Sequence, residues 1–343
     1  MFFVAAMATA VLAASCSKDF EQRQIQSGSE PTVQLTLLQE PLELSTRSFF
    51  DQGISEAWER MVTKATLFVL DDTGNLALSR TLSASECGGH LTFAMPCASA
   101  GKTFDFYVVA NCTVGPFSRK AELEAMMDGT SPAEYNGAFG EMNTGCLRAE
   151  GFVMSGRATG TMPTDGTTRQ LNINLLRNVA KIAVQTTLNA GFSAQHNGGT
   201  VEITGATLSG AAAQSFLLSQ TPPAAGQMTY MQTQASNKVL DSSLKPTFQN
   251  LFYIYGNPAL SEAQYVTVTL DGIFDGDGNP ATMDDRSEVQ YTVTLNQNGG
   301  AIAKNGYHKL NVNIKGLPGV GVNDNFSIQG WSVPVEQFEN AGF

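Results

Sequence analysis

Apolar and polar residues alternate with a period of two along much of this chain. Close to mid-chain, in residues 171–185, Leu171, Ile173 and Leu175 alternate with polar partners, and Val179 and Ile182-Ala183-Val184 extend the apolar content past Arg177-Asn178. Alternation of this kind, rich in β-branched residues, reads as strand. The stretch predicts one long strand, or two joined end to end, closing one β-domain and opening the next.

The same pattern recurs on both sides. Val33, Leu35 and Leu37 share one face of a predicted first strand, which resumes after Glu40-Pro41 with Leu42 and Leu44. Residues 63–70 and 76–82 read as a hairpin around Asp71-Asp72-Thr73-Gly74-Asn75, where a Gly suits positive φ. Residues 104–111 place Phe104, Phe106 and Val108 on one face. In the second half, strands are predicted at 200–209, 251–255, 265–270, 289–295 and 307–314, with 326–331 and 333–335 closing the chain. Residues 118–128 are the best helix candidate, with Leu123, Met126 and Met127 at helical spacing and Ser118 placed to cap. Residues 56–61 fit a short turn or helix. Residues 152–156 read as a strand end followed by a loop to 168, and 219–245, with Pro222-Pro223, as irregular. No repeat of residues is visible, only a repeat of style.

Length and composition sharpen this into a fold class. A chain of 343 residues fits two domains. With 42% apolar residues it can build real cores. The expectation is an all-β protein of two tandem domains, residues 32–172 and 173–343, with a short helix in the first. A formal net charge of -11 argues against partners held by phosphate contacts, so no nucleic acid is expected, and against attraction to an anionic membrane surface.

Membrane attachment therefore needs another device. Residues 1–15 are apolar and small, the size of a signal-peptide core, and end Leu12-Ala13-Ala14-Ser15 before Cys16. Small residues ahead of a Cys form a lipobox, in which the thiol is acylated, palmitate-like chains being the anchor. An ordinary signal peptide with an incidental Cys is the alternative. No Lys or Arg precedes the apolar run, which fits a start a few residues upstream. Residues 16–31 are polar and read as a tether.

Candidate chemistry is sparse. Cys87, Cys97, Cys112 and Cys146 allow three pairings or none, and their spacing fits no metal site. Asp275, Asp277 and Asn279, with Asp284 and Asp285 nearby, offer oxygens at alternate positions, as a Ca²⁺ loop does. Yet the sixth and twelfth positions of such a loop hold Pro280 and Arg286, so a long hairpin loop is the better reading and no metal or cofactor is expected. His90, His196 and His308 are scattered. Neither a Gly-x-Ser-x-Gly elbow nor a His-Glu-x-x-His motif is present, and no catalytic residue is assigned. Trp58 and Trp331 read as core or interface anchors.

Taken in order, these pieces resemble the fimbrillins, subunits of type V pili on Bacteroides-type bacteria. The pieces are the lipobox Cys16, a strand ending at Thr46-Arg47, ATLFVLDDTG (65–74), FYVVAN (106–111), Val153-Met154-Ser155-Gly156, LLRNVAKIAV, LFYIYGNP and NGYHKLNVNIKG (305–316), with Trp331. The resemblance implies two transthyretin-like sandwiches. It implies a lipid-anchored precursor on the cell outer membrane, cut by an arginine-specific protease between Arg47 and Ser48, with Arg23 the alternative cut site. Loss of the first strand opens a groove, which a strand of another fimbrial subunit fills. The donor expected here is the 326–343 tail, with Phe326, Ile328, Val333, Val335 and Phe338. The implied role is structural and non-enzymatic, in a surface fimbrium that supports adhesion. Alternatives are a fimbrial anchor that keeps its lipid at Cys16, a tip adhesin for host or bacterial surface ligands, or a glycan-binding surface lipoprotein. Tyr253, Tyr255 and Tyr265 are candidates for that last role, although their alternation favours core.

Overall fold

A computed structural model describes residues 30–38, 56–218, 228–240, 248–259, 261–295, 297–318, 329–330 and 335–341. Seven strands open the chain: β1 (Thr32–Leu38), β2 (Ala65–Leu70), β3 (Leu76–Thr81), β4 (His90–Ala94), β5 (Thr103–Ala110), β6 (Met154–Thr161) and β7 (Thr168–Asn174). A two-residue strand, β8 (Leu176–Arg177), leads to seven more: β9 (Val179–Leu188), β10 (Thr200–Ala211), β11 (Met228–Val239), β12 (Phe248–Tyr255), β13 (Val266–Asp275), β14 (Arg286–Leu295) and β15 (Gly306–Ile314). β16 (Gln329–Gly330) and β17 (Val335–Ala341) end the described chain.

The two sets of seven have one topology. The first forms sheets β4-β1-β7 and β3-β2-β5-β6, and the second forms β12-β9-β15 and β11-β10-β13-β14. In each set the first strand lies between an antiparallel partner, β4 or β12, and a parallel one, β7 or β15. The repeat that the residues do not show is present in the connectivity. The fold is all-β, two sandwiches in tandem.

Each sandwich closes on the inward faces of its sheets. Val33, Leu35, Leu91 and Ile173 meet Leu67, Phe106 and Val108 in the first core. Ile182, Val184 and Leu310 meet Val201, Val268 and Val293 in the second. The sheet β12-β9-β15 is buried on both faces: Val179, Ala183, Leu251, Tyr253, Tyr255 and Tyr307 belong to the core cluster of the first domain. Residues of both parities along β9 are therefore buried, and the near-continuous apolar run there follows from that.

Several expectations shift. The predicted 171–185 strand is three pieces, β7, β8 and β9, with Ile173 paired to Leu37 of β1. Of the loop expected between 156 and 168, residues 157–161 instead continue β6, whose small residues serve close approach, and 162–167 are loop. A Cβ at Gly156 would collide with the Asn174 carbonyl oxygen of β7, and one at Gly160 would lie 2.9 Å from Leu171. The irregular region expected over 219–245 contains β11, a polar strand bonded to β10 on one side. The helix is shorter than expected, Lys120–Glu124, and its cap position is Arg119 rather than Ser118, whose amide donates to Glu122 Oε2 at 2.8 Å. Leu123 of that helix covers the second face of the β2–β5 sheet together with Leu217. Residues 275–286 form the β13–β14 hairpin loop. There Asp275, Asp277 and Asp285 bring one carboxylate oxygen each within 4.8 Å, and Arg286 Nε binds Asp275 Oδ2 at 3.1 Å. Cys87, Cys112 and Cys146 are free thiols.

His308 lies on the side of β15 that carries Leu310 and Val312 into the second core, and it is fully buried. Burial pushes its pKa down from the ordinary 6.5 to about 4. Between those values the unfolded chain takes up a proton that the folded chain refuses, so this contribution is complete above pH 6.5 and is lost as pH falls toward 4. Urea unfolding at pH 7 and pH 4.5 is expected to show a loss on the order of 2 kcal/mol in the native protein that is absent from His308→Leu. Equal losses in both proteins would remove His308 from the acid response.

Candidate functional site: the first strand and its groove

β1 is short, near the start of the described chain, and bonded on both sides. Its register pairs Val33 with Phe93, and Leu35 with Leu91, on the β4 side. On the β7 side it pairs Leu35 with Leu171 and Leu37 with Ile173. Loop contacts extend the ladder: Met95 N donates to Pro31 O at 2.8 Å, Leu37 N to Gly89 O at 3.0 Å and Leu175 N to Leu38 O at 3.1 Å. Val33, Leu35 and Leu37 are buried, while Thr32, Gln34 and Thr36 on the other face are only partly covered. Three aliphatic side chains in such pockets contribute about 1.5–3 kcal/mol each. Lifting β1 out would uncover apolar holes and leave unpaired N–H and C=O groups on β4 and β7, the condition in which a sheet takes up a strand.

The tail lies elsewhere. β17 runs parallel to β15 on its outer edge, pairing Val335 with His308 and Phe338 with Asn311. β16 pairs antiparallel with the start of β15. Val335 and Phe338 are thus brought to the edge of the second domain. Cys16, Arg47, Ser48, Phe326, Ile328, Val333 and Trp331 lie outside the described residues.

A charged cluster that sequence reasoning passed over sits where the two sandwiches meet. A 3-10 turn at Ala57–Arg60 carries Glu59 into the junction, fully buried. Its Oε1 lies 2.8 Å from Lys181 Nζ of β9 and accepts the Tyr253 hydroxyl at 2.5 Å. Arg177 Nε donates to the Glu59 backbone oxygen at 2.7 Å, and Arg177 Nη1 to Asn305 Oδ1 at 2.9 Å. Burial opposes the charge on Glu59, but Lys181 and Arg177 outweigh it and hold the carboxyl below its ordinary range, while burial pulls the Lys181 ammonium down. Trp58 packs on Phe152 and edge-on to Tyr253, both at 6.3 Å, so it anchors the junction as expected. One signal was available: a lysine inside the apolar run VAKIAV has to meet an anion.

Of the tyrosines considered for surface binding, Tyr253 and Tyr255 are buried. Among the described residues no helix is long and apolar enough to cross a membrane.

No family model matches this sequence, and no curated protein matches it. Solved structures do match its fold. One is an inferred cell adhesion protein from Parabacteroides distasonis ATCC 8503, at 14% identity over 90% of this chain and 97% of that one, with a TM-score of 0.57. Another, from Bacteroides eggerthii DSM 20697 and similarly described, matches at 14% identity over 91% and 98%, with a TM-score of 0.55. A fimbrilin (fimA) from Porphyromonas gingivalis W83 matches at 16% identity over 92% and 98%, with a TM-score of 0.54. Two seven-stranded sandwiches of one topology, matched nearly end to end by these structures, give this chain the fold of the fimbrilins and related adhesion proteins.

Proposed function

We propose that this protein is a fimbrillin, a structural subunit of a surface fimbrium that supports adhesion. The observation that carries the reading is the placement of β1: the first described strand fills the middle of its own sheet and buries Leu35 completely. The fold it shares with a fimbrilin supports the same reading.

In this reading the precursor is a lipoprotein anchored in the outer membrane through Cys16. An arginine-specific protease cuts between Arg47 and Ser48, β1 leaves with the lipid, and the tail of another subunit enters between β4 and β7. The apolar side chains of β1 stand two residues apart. Phe326 with Ile328, and Val333 with Val335, repeat that spacing in the tail. Because β17 is docked on β15 of its own domain, donation requires it to leave that edge first.

Arg47→Ala is expected to block polymerisation but not export, read by electron microscopy of surface filaments and by surface labelling. Ordinary filaments from that variant would sink the assignment. Mass spectrometry of the N-terminus on the native cell surface separates roles. A start at Ser48 marks a polymerising or tip subunit, and a start at acylated Cys16 marks an anchor or a lipoprotein outside the fimbrium. Burial of Tyr253 and Tyr255 weighs against the glycan-binding alternative.

A further inference from the structure

We propose that the buried Glu59 anchor sets the limit of N-terminal processing: the chain ahead of Glu56 is removable, and the chain from Glu56 onward is fastened to both domains. This rests on the processing reading above. Five basic residues lie in the first 64: Lys18, Arg23, Arg47, Arg60 and Lys64. The arginine-specific protease of that reading meets Arg23, Arg47 and Arg60, and trypsin meets Lys18 and Lys64 as well.

Arg60 and Lys64 are partly buried and sit inside a double clamp. On one side, the Glu59 carboxylate is held by Lys181 and Tyr253, and its backbone oxygen by Arg177, all from the second half of the chain. On the other side, Asn111, buried at a positive φ of 62°, grips the backbone that follows. Its Nδ2 donates to Met61 O at 2.7 Å, its Oδ1 accepts Thr63 N at 2.9 Å, and its own N–H donates to Lys64 O at 2.9 Å. A protease cleft needs several residues on each side of the cut in an extended, open form. Opening either bond would withdraw Glu59 and leave Lys181 and Arg177 buried without their anion. The clamp also keeps Trp58 against Phe152 and Tyr253 in the core.

The test is a timed trypsin digestion of the full-length protein, followed by intact mass. A fragment starting at Ser48 is expected to accumulate and persist, with products starting at Met61 or Ala65 forming only slowly. In Glu59→Gln those two products should form at least tenfold faster. Hydrogen exchange on the native protein covers the case in which that variant does not fold: the Glu59 and Thr63 amides should be protected as well as those of β5. Cleavage at Arg60 or Lys64 as fast as at Arg47, or loop-like exchange at Glu59 and Thr63, overturns the proposal. If Arg47 stays intact while Arg60 and Lys64 stay closed, the processing reading fails and the anchor stands.

Discussion

Glu59→Gln is expected to cost about 3–5 kcal/mol in urea unfolding, and Lys181→Met distinctly less. The ordering follows from charge arithmetic in the junction. One buried carboxylate faces two cations there, Lys181 at 2.8 Å and Arg177 bonded to the same residue's backbone, with the partly exposed Glu56 a more distant anion for Lys181. Removing Lys181 leaves a balanced pair, whereas removing the Glu59 charge leaves two like charges in a dry site. Tyr253 loses its charged acceptor at the same time. An equal cost for the two variants would mean that Arg177 is not part of the balance.

A second large effect is expected at Leu35. Leu35→Ala should lose about 2–5 kcal/mol, because the side chain is fully buried between two sheets and the strands around it cannot collapse into the gap. The stronger form of the experiment uses the trimmed chain. Protein cut at Arg47 and freed of its first strand should melt earlier than the intact chain. A synthetic peptide of residues 31–38 should raise its melting temperature again, by about 2.7 kcal/mol of stability when present at a hundredfold excess over its Kd. The same peptide carrying Leu35→Asp should do nothing, since the carboxylate would enter an apolar pocket without a partner. If trimming leaves the melting temperature unchanged, β1 is not what holds the first sandwich closed.

Much of the strand content was legible because amphipathic alternation is a local property. Val33, Leu35 and Leu37 declare their face without help, as do the threonines and valines of β13 and β14. The misses share a cause. In β6 glycines are used for close packing against β7, and glycine in a sequence reads as loop. β11 is a polar strand whose existence depends on the neighbouring β10. β4, His90–Ala94, lies between Gly88-Gly89 and Pro96, and it is defined by the β1 backbone opposite it. The duplicated topology was invisible because it is a property of connections. The Glu59 site joins residues 122 positions apart, 181 less 59, which no local pattern reports.

β1 has a fixed direction in its sheet. It runs parallel to β7 and antiparallel to β4, so any strand that takes its place with the same ladder enters in a single sense. In the strand-exchange reading proposed above, the donor tail lies at the far end of the chain from the slot that β1 fills. Contact between a tail on one copy and a slot on the next is heterologous, and no two-fold axis relates its partners. A rod built this way has unlike ends: one presents an empty slot and the other an unused tail. It lengthens by a fixed screw operation, and any partner that terminates it must match the chemistry of the end it caps.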